Sequence, residues 1–249
     1  MDSPTRSAAV QVPATGFSEA TVVERVDLTP DLMVIKLAPS IPFRFKPGQY
    51  CTIGVENVER AYSIVSAPWE PYIELFIELV PHGKLTPKLW RLHPGDAVNL
   101  RPKAKGLFTF EEKHTTHVMV ATVTGVAPYI SILRDYLRRG GTDHQFHVLH
   151  GASYQDEFGY KDELEKMARE HPNIVYAPTV SRPDDPRNQG WPGAKGRVNL
   201  ILEGYLERAG LKPSTSLLVY ACGHPGMTED VKARFLPRGY KVKEERYWK

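Results

Sequence analysis

The 249-residue chain is 41% hydrophobic and 24% charged, an ordinary balance for a globular protein and enough length for two domains of about 100–150 residues. A formal net charge of +3 is too small to argue for nucleic acid, and two cysteines, Cys51 and Cys222, can neither hold a cluster that needs four thiolates nor build a disulfide framework. With no apolar run of membrane-spanning length and no basic start and apolar core at the N-terminus, a cytoplasmic protein without a membrane partner is expected.

Residues 1–16 are small, polar and Pro-containing and read as a frayed arm. Strands are then expected at 21–26, 33–38, 49–55, 61–66, 73–80 and 97–100, several of them separated by turns such as Lys46-Pro47-Gly48 and His93-Pro94-Gly95-Asp96. One helix is expected near 87–92. Short strands at this spacing predict a small antiparallel barrel.

The second half changes rhythm. Apolar strands at 118–123, 146–150, 175–180 and 217–221 alternate with helices near 130–139, 161–169, 198–209 and 228–236. That alternation predicts a parallel sheet covered on both faces, with ligands at the carboxyl ends of its strands. The boundary is placed in the charged segment 111–116, dividing the chain into a barrel domain of residues 17–112 and an α/β domain of residues 113–249.

Five groups of residues carry candidate chemistry. Arg60-Ala61-Tyr62-Ser63 pairs a guanidinium, which can fork onto a phosphate, with a phenol that can cover a flat ring; the plainer reading is an edge strand. Gly83-Lys84-Leu85-Thr86-Pro87 opens a helix, and its free N–H groups suit an anion, with Thr86 as N-cap and Pro87 in the first turn. In Thr122-Val123-Thr124-Gly125-Val126-Ala127-Pro128, Gly125 permits close backbone approach and the hydroxyls of Thr122 and Thr124 suit a pyrophosphate. Cys222-Gly223-His224-Pro225-Gly226-Met227 puts a thiol at a sheet edge beside a helix start. His224 has no metal-spaced companion and reads as a loop residue, so no metal site is expected. Ser181-Arg182 and Arg197 flank a Pro/Gly/Trp-rich loop, where paired guanidiniums suit a 2′-phosphate.

In that order along the chain, R-A-Y-S, G-K-L-T-P, T-G-V-A-P, S-R and C-G-H-P-G-M resemble the ferredoxin–NADP reductase family, most of all its bacterial ferredoxin/flavodoxin–NADP reductases. The resemblance runs from about Phe17 to Lys249 and is most telling in residues 60–100 and at Tyr247-Trp248. It implies an N-terminal antiparallel β-barrel FAD domain followed by a C-terminal parallel-sheet NADP-binding domain. FAD would be held by Arg60, Ala61, Tyr62, Ser63, Gly83, Lys84, Leu85 and Thr86, with Tyr247 or Trp248 against one of its rings; packing of those two aromatics as a final strand is the alternative. NADP would be held by Thr124, Gly125, Ser153, Ser181, Arg182, Arg197, Gly223 and Met227.

The resemblance further implies Cys222, Tyr62 and Ser63 at the reacting centre, hydride transfer from NADPH to the flavin N5, and single electrons passed to ferredoxin or flavodoxin. Two departures stand out. Val123 occupies the place of the family's first turn glycine, and Ser153 the place of an arginine that would meet the 2′-phosphate. Three rival readings are an NADH-dependent reductase serving an oxygenase, a free-flavin reductase, and a non-autonomous flavin electron-transfer subunit.

Overall fold

The computed structural model describes residues 16–246. Its N-terminal half is one antiparallel sheet in the order β4-β3-β6-β1-β2-β5. The strands are β1 (Ser18–Thr29), β2 (Leu32–Pro39), β3 (Tyr50–Val55), β4 (Val58–Ser63), β5 (Ile73–Glu78) and β6 (Ala97–Leu100). A bridge between Ile64 and Leu75 joins the two edges, so the sheet curls into the expected barrel. Alternate residues such as Met33, Ile35 and Leu37 point inward and meet Cys51, Ile53 and Leu75 in the barrel core. The expected helix is the single turn α1 (Thr86–Leu89).

The second half is a six-stranded parallel sheet in the order β10-β9-β8-β7-β11-β12. Its strands are β7 (Thr116–Thr122), β8 (Gln145–Ala152), β9 (Ile174–Val180), β10 (Ala194–Lys195), β11 (Leu217–Gly223) and β12 (Lys241–Arg246). The helices α2 (Ala127–Arg138), α3 (Lys161–Glu170), α4 (Val198–Arg208) and α5 (Pro225–Phe235) cover it. Two core clusters, one around Tyr129 and Phe146 and one around Leu202 and Val231, lie on its two faces. The chain order reverses between β7 and β11, so a crevice opens outside their carboxyl ends, between the turn after Thr122 and the turn after Cys222.

The halves share a core. Leu32, Val65, Phe76 and Phe108 pack with Tyr129, Tyr220 and Cys222 in one cluster. Polar contacts cross the same seam. Ser131 Oγ donates to the Ser66 carbonyl at 2.7 Å, Tyr160 Oη donates to Glu74 at 2.9 Å, and Arg134 pairs with Glu74 at 2.6 Å. Arg134 also reaches Glu163 at 2.7 Å and Glu70 at 3.3 Å. Among the described residues no helix is long and apolar enough to cross a membrane.

Candidate functional site

A cavity of about 610 Å³ fills the crevice. Its lining brings together Thr124, Ser153, Ser181, Arg182, Arg197, Gly223 and Met227, seven of the eight residues expected at the NADP end. Gly125, the eighth, is buried just behind. A Cβ there would come within 2.2 Å of the Cys222 carbonyl oxygen, so only glycine lets the turn lie against β11. Gly223 has φ +124° and its missing Cβ would meet Thr122 Oγ1 at 2.3 Å. Instead, that hydroxyl accepts the His224 N–H at 2.8 Å and ties the two turns together.

Val123 also lines the cavity, with φ +40°, a left-handed conformation costly for a β-branched residue. This is the position where the resemblance calls for glycine. The backbone keeps the glycine-like conformation, and the valine side chain packs back on Ala152, Phe158 and Trp191. The Val123 carbonyl accepts from His150 Nε2 at 2.8 Å. Burial pushes the His150 ring down to about 4, so it is neutral and carries the proton on that nitrogen.

At the arginine end, Arg182 donates to the Tyr154 hydroxyl. Two guanidiniums lie near the Tyr154 ring, Arg182 at 5.2 Å and Arg187 at 3.7 Å from its centroid. Arg187 is held by Asp156 at 2.7 Å. The buried Asn188 amide donates to the carbonyls of both Ser153 and Arg182, at 2.9 and 2.8 Å, and so fixes the two loops relative to each other.

The flavin-side residues fall outside this cavity. Ser63 is buried, Tyr62 half-buried and Arg60 exposed, its guanidinium donating to the Glu59 carbonyl at 2.6 Å. Ala61 is exposed on the same edge strand. In the Gly83–Thr86 turn, Lys84 is exposed, but Leu85 is buried in the barrel core and offers only its backbone. Thr86 is not the N-cap. It is the first helical residue, and its buried hydroxyl accepts from Val80 N–H at 3.0 Å and donates to Val80 C=O at 3.1 Å. The threonine hydroxyl is therefore spent within the turn, and the Gly83 N–H likewise donates to the Val80 carbonyl at 2.8 Å.

Cys222 is fully buried and does not line the cavity. It stands opposite Glu245 in the β11–β12 ladder. The Ser63 hydroxyl lies within hydrogen-bonding reach of the Glu245 carboxyl, whose Oε2 is buried without a partner. Burial raises Glu245 to about 7, against the opposing pull of Ser63 and Lys243. Ser63 and Cys222 thus both neighbour Glu245, a residue that sequence reasoning missed. Tyr247 and Trp248 lie outside the described residues.

Two more residues were missed. His224 is an N-cap, not a plain loop residue; its Nδ1 accepts from Gly226 N–H at 3.1 Å and it lines the cavity. The signal was local, a polar ring directly before Pro225 at a helix start. Glu78 reaches the cavity from the end of β5, and no local pattern announced it.

Comparison with known proteins agrees with this geometry. Residues 19–110 match the model of an oxidoreductase FAD-binding domain and residues 119–233 that of an oxidoreductase NAD-binding domain. The chain is 37% identical to ferredoxin–NADP reductase B of Sorangium cellulosum over 205 residues, covering 79% of this chain and 80% of that one. It is 32% identical to ferredoxin–NADP reductase of Pseudomonas aeruginosa over 221 residues, covering 80% and 81%. A crystal structure of a ferredoxin NADP+ reductase from Neisseria gonorrhoeae with bound FAD and NADP superposes with TM-score 0.82 at 25% identity, covering 94% of this chain and 99% of that one. The chain therefore belongs to the ferredoxin–NADP reductase family.

Proposed function

We propose that the chain is an FAD-dependent reductase that moves electrons between NADPH and ferredoxin or flavodoxin in the cytoplasm. The observation that carries this reading is the cavity at the β7/β11 crevice, lined by two arginines and a set of hydroxyls and ending one residue from Cys222. The division into a barrel domain of residues 17–112 and an α/β domain of residues 113–249 belongs to the same reading.

The donor set fits both groups. Arg182, Arg197, Ser153 and Ser181 suit a phosphorylated ribose, and the turns at 122–126 and 223–227 suit a pyrophosphate. Arg60, Tyr62, Ser63 and the backbone of 83–86 suit the FAD on the barrel edge. Bound FAD supplies the one- and two-electron redox chemistry. The protein would fix the distance between the two rings and exclude water, with Cys222 buried behind the cavity wall next to Gly223. Glu245, held near neutrality, can hold or release a proton at its Oε2, with the Ser63 hydroxyl beside it.

The surface that would suit the acceptor is the loop carrying Leu107. Leu107 is 88% exposed, and Lys46, Lys103 and Lys105 are exposed around it. Gln49 Nε2 donates to the Gly106 carbonyl at 3.2 Å, and Gly106 lies against Glu245. An exposed apolar side chain with exposed lysines on its own and the adjoining loop suits an acidic partner protein. The test is reduction of a panel of ferredoxins and flavodoxins by the FAD-loaded protein. Turnover with NADPH supports the reading; free flavin as the sole acceptor rejects it.

A further inference from the structure

We propose that Glu78 limits the affinity of the cavity for the nicotinamide dinucleotide and hastens its release; this rests on the NADPH reading. The cavity is otherwise furnished for a polyanion, with Arg182, Arg197, His224, hydroxyls and bare turn backbone on its walls. Glu78 is the acidic side chain in that lining, and it comes from the other half of the molecule, at the end of β5 facing the 123–126 turn.

Among the described residues Glu78 makes no ion pair or side-chain hydrogen bond. The acidic groups that face it are Asp31, in the turn between β1 and β2, and Glu157, after β8. Glu157 Oε2 accepts the N–H groups of Ser153 and Tyr154, at 2.8 and 3.0 Å, while burial raises its own proton affinity. Partial desolvation in the cavity, then Asp31 and Glu157, raise the proton affinity of Glu78, although its side chain stays exposed. An incoming pyrophosphate adds negative charge to the same space. An enzyme that must release oxidised nucleotide between turnovers gains from such an opposing charge, since chemistry is often not the slowest step.

The test compares FAD-loaded wild type with Glu78→Gln and Glu78→Ala. Calorimetry gives the dissociation constant for NADP+, and stopped-flow displacement gives its off-rate. We expect both variants to bind NADP+ about two- to fivefold more tightly, mainly through slower dissociation, with the difference shrinking in high salt. Unchanged or weaker binding in both, with wild type binding NADP+ normally, overturns this inference and leaves the NADPH reading intact. A wild type that retains FAD but binds no NADP+ overturns both.

Discussion

The Ser63 hydroxyl at the end of β4 lies within reach of the Glu245 carboxyl on β12, so barrel and parallel sheet share one polar contact beside Cys222. Through it a residue of the last strand enters the centre that the R-A-Y-S motif marks.

Glu245 should leave a signature in stability. Its proton affinity is raised from 4.5 to about 7, so its contribution is most favourable below 4.5 and is lost as pH rises through about 7. Between about pH 5 and pH 8, Glu245→Gln should therefore lose less stability, or gain more, than wild type. Urea midpoints at the two pH values measure this. Identical pH slopes would mean that the carboxyl is solvated.

His117 should act in the opposite sense. It is fully buried beside Phe110 and Phe146, and neither ring nitrogen makes a well-formed hydrogen bond. Burial, then the neighbouring His144 and His114, push it from 6.5 down to about 3. Its stability contribution is present above 6.5 and is lost as pH falls toward 3, because only the unfolded chain takes the proton. His117→Phe should fill the site without an orphaned polar group and shift the acid-unfolding midpoint downward. An unchanged acid midpoint would contradict this placement.

Arg134 is expected to be the most sensitive charge at the domain seam. Its removal strands Glu74, which is 4% exposed, without a cation. Breaking such a buried pair costs about 3–5 kcal/mol. Arg134→Ala should lower stability by that order, whereas Arg134→Ala combined with Glu74→Gln should recover part of the loss. Chemical denaturation of single and double variants measures the coupling.

The barrel and the βα units were legible because their strands are apolar and their turns carry Pro, Gly and Asp. The strand β12 was not: Lys241, Lys243, Glu244 and Glu245 surround a lone Val242, and only the ladder with β11 makes the segment extended. Ala194–Lys195 is too short for any period to show. The cavity-lining set was legible because it falls at strand ends of the parallel sheet, where glycine and hydroxyl residues interrupt apolar runs. Glu74, Glu78 and Glu245 were hidden for one reason. Each is defined by the other half of the molecule, Glu74 by Arg134, Glu78 by the 123–126 turn and Glu245 by Ser63.

Cofactor preference should follow the arginine end. A charge-assisted contact is worth about 1.5–3 kcal/mol, so Arg182→Ala and Arg197→Ala should each raise the NADPH KM by about tenfold or more and barely alter NADH. Ser153→Arg should sharpen the preference, since position 153 lines the same cavity. Equal losses with both nucleotides would assign these arginines to structure instead.

The most direct measurement is anaerobic stopped-flow reduction of the purified protein at matched NADPH and NADH concentrations, after its bound flavin has been released and identified. The expected result is FAD, reduced at least about tenfold faster by NADPH, a factor equal to about 1.4 kcal/mol. A protein that neither carries nor takes up FAD, or one reduced as well by NADH as by NADPH, would contradict the account.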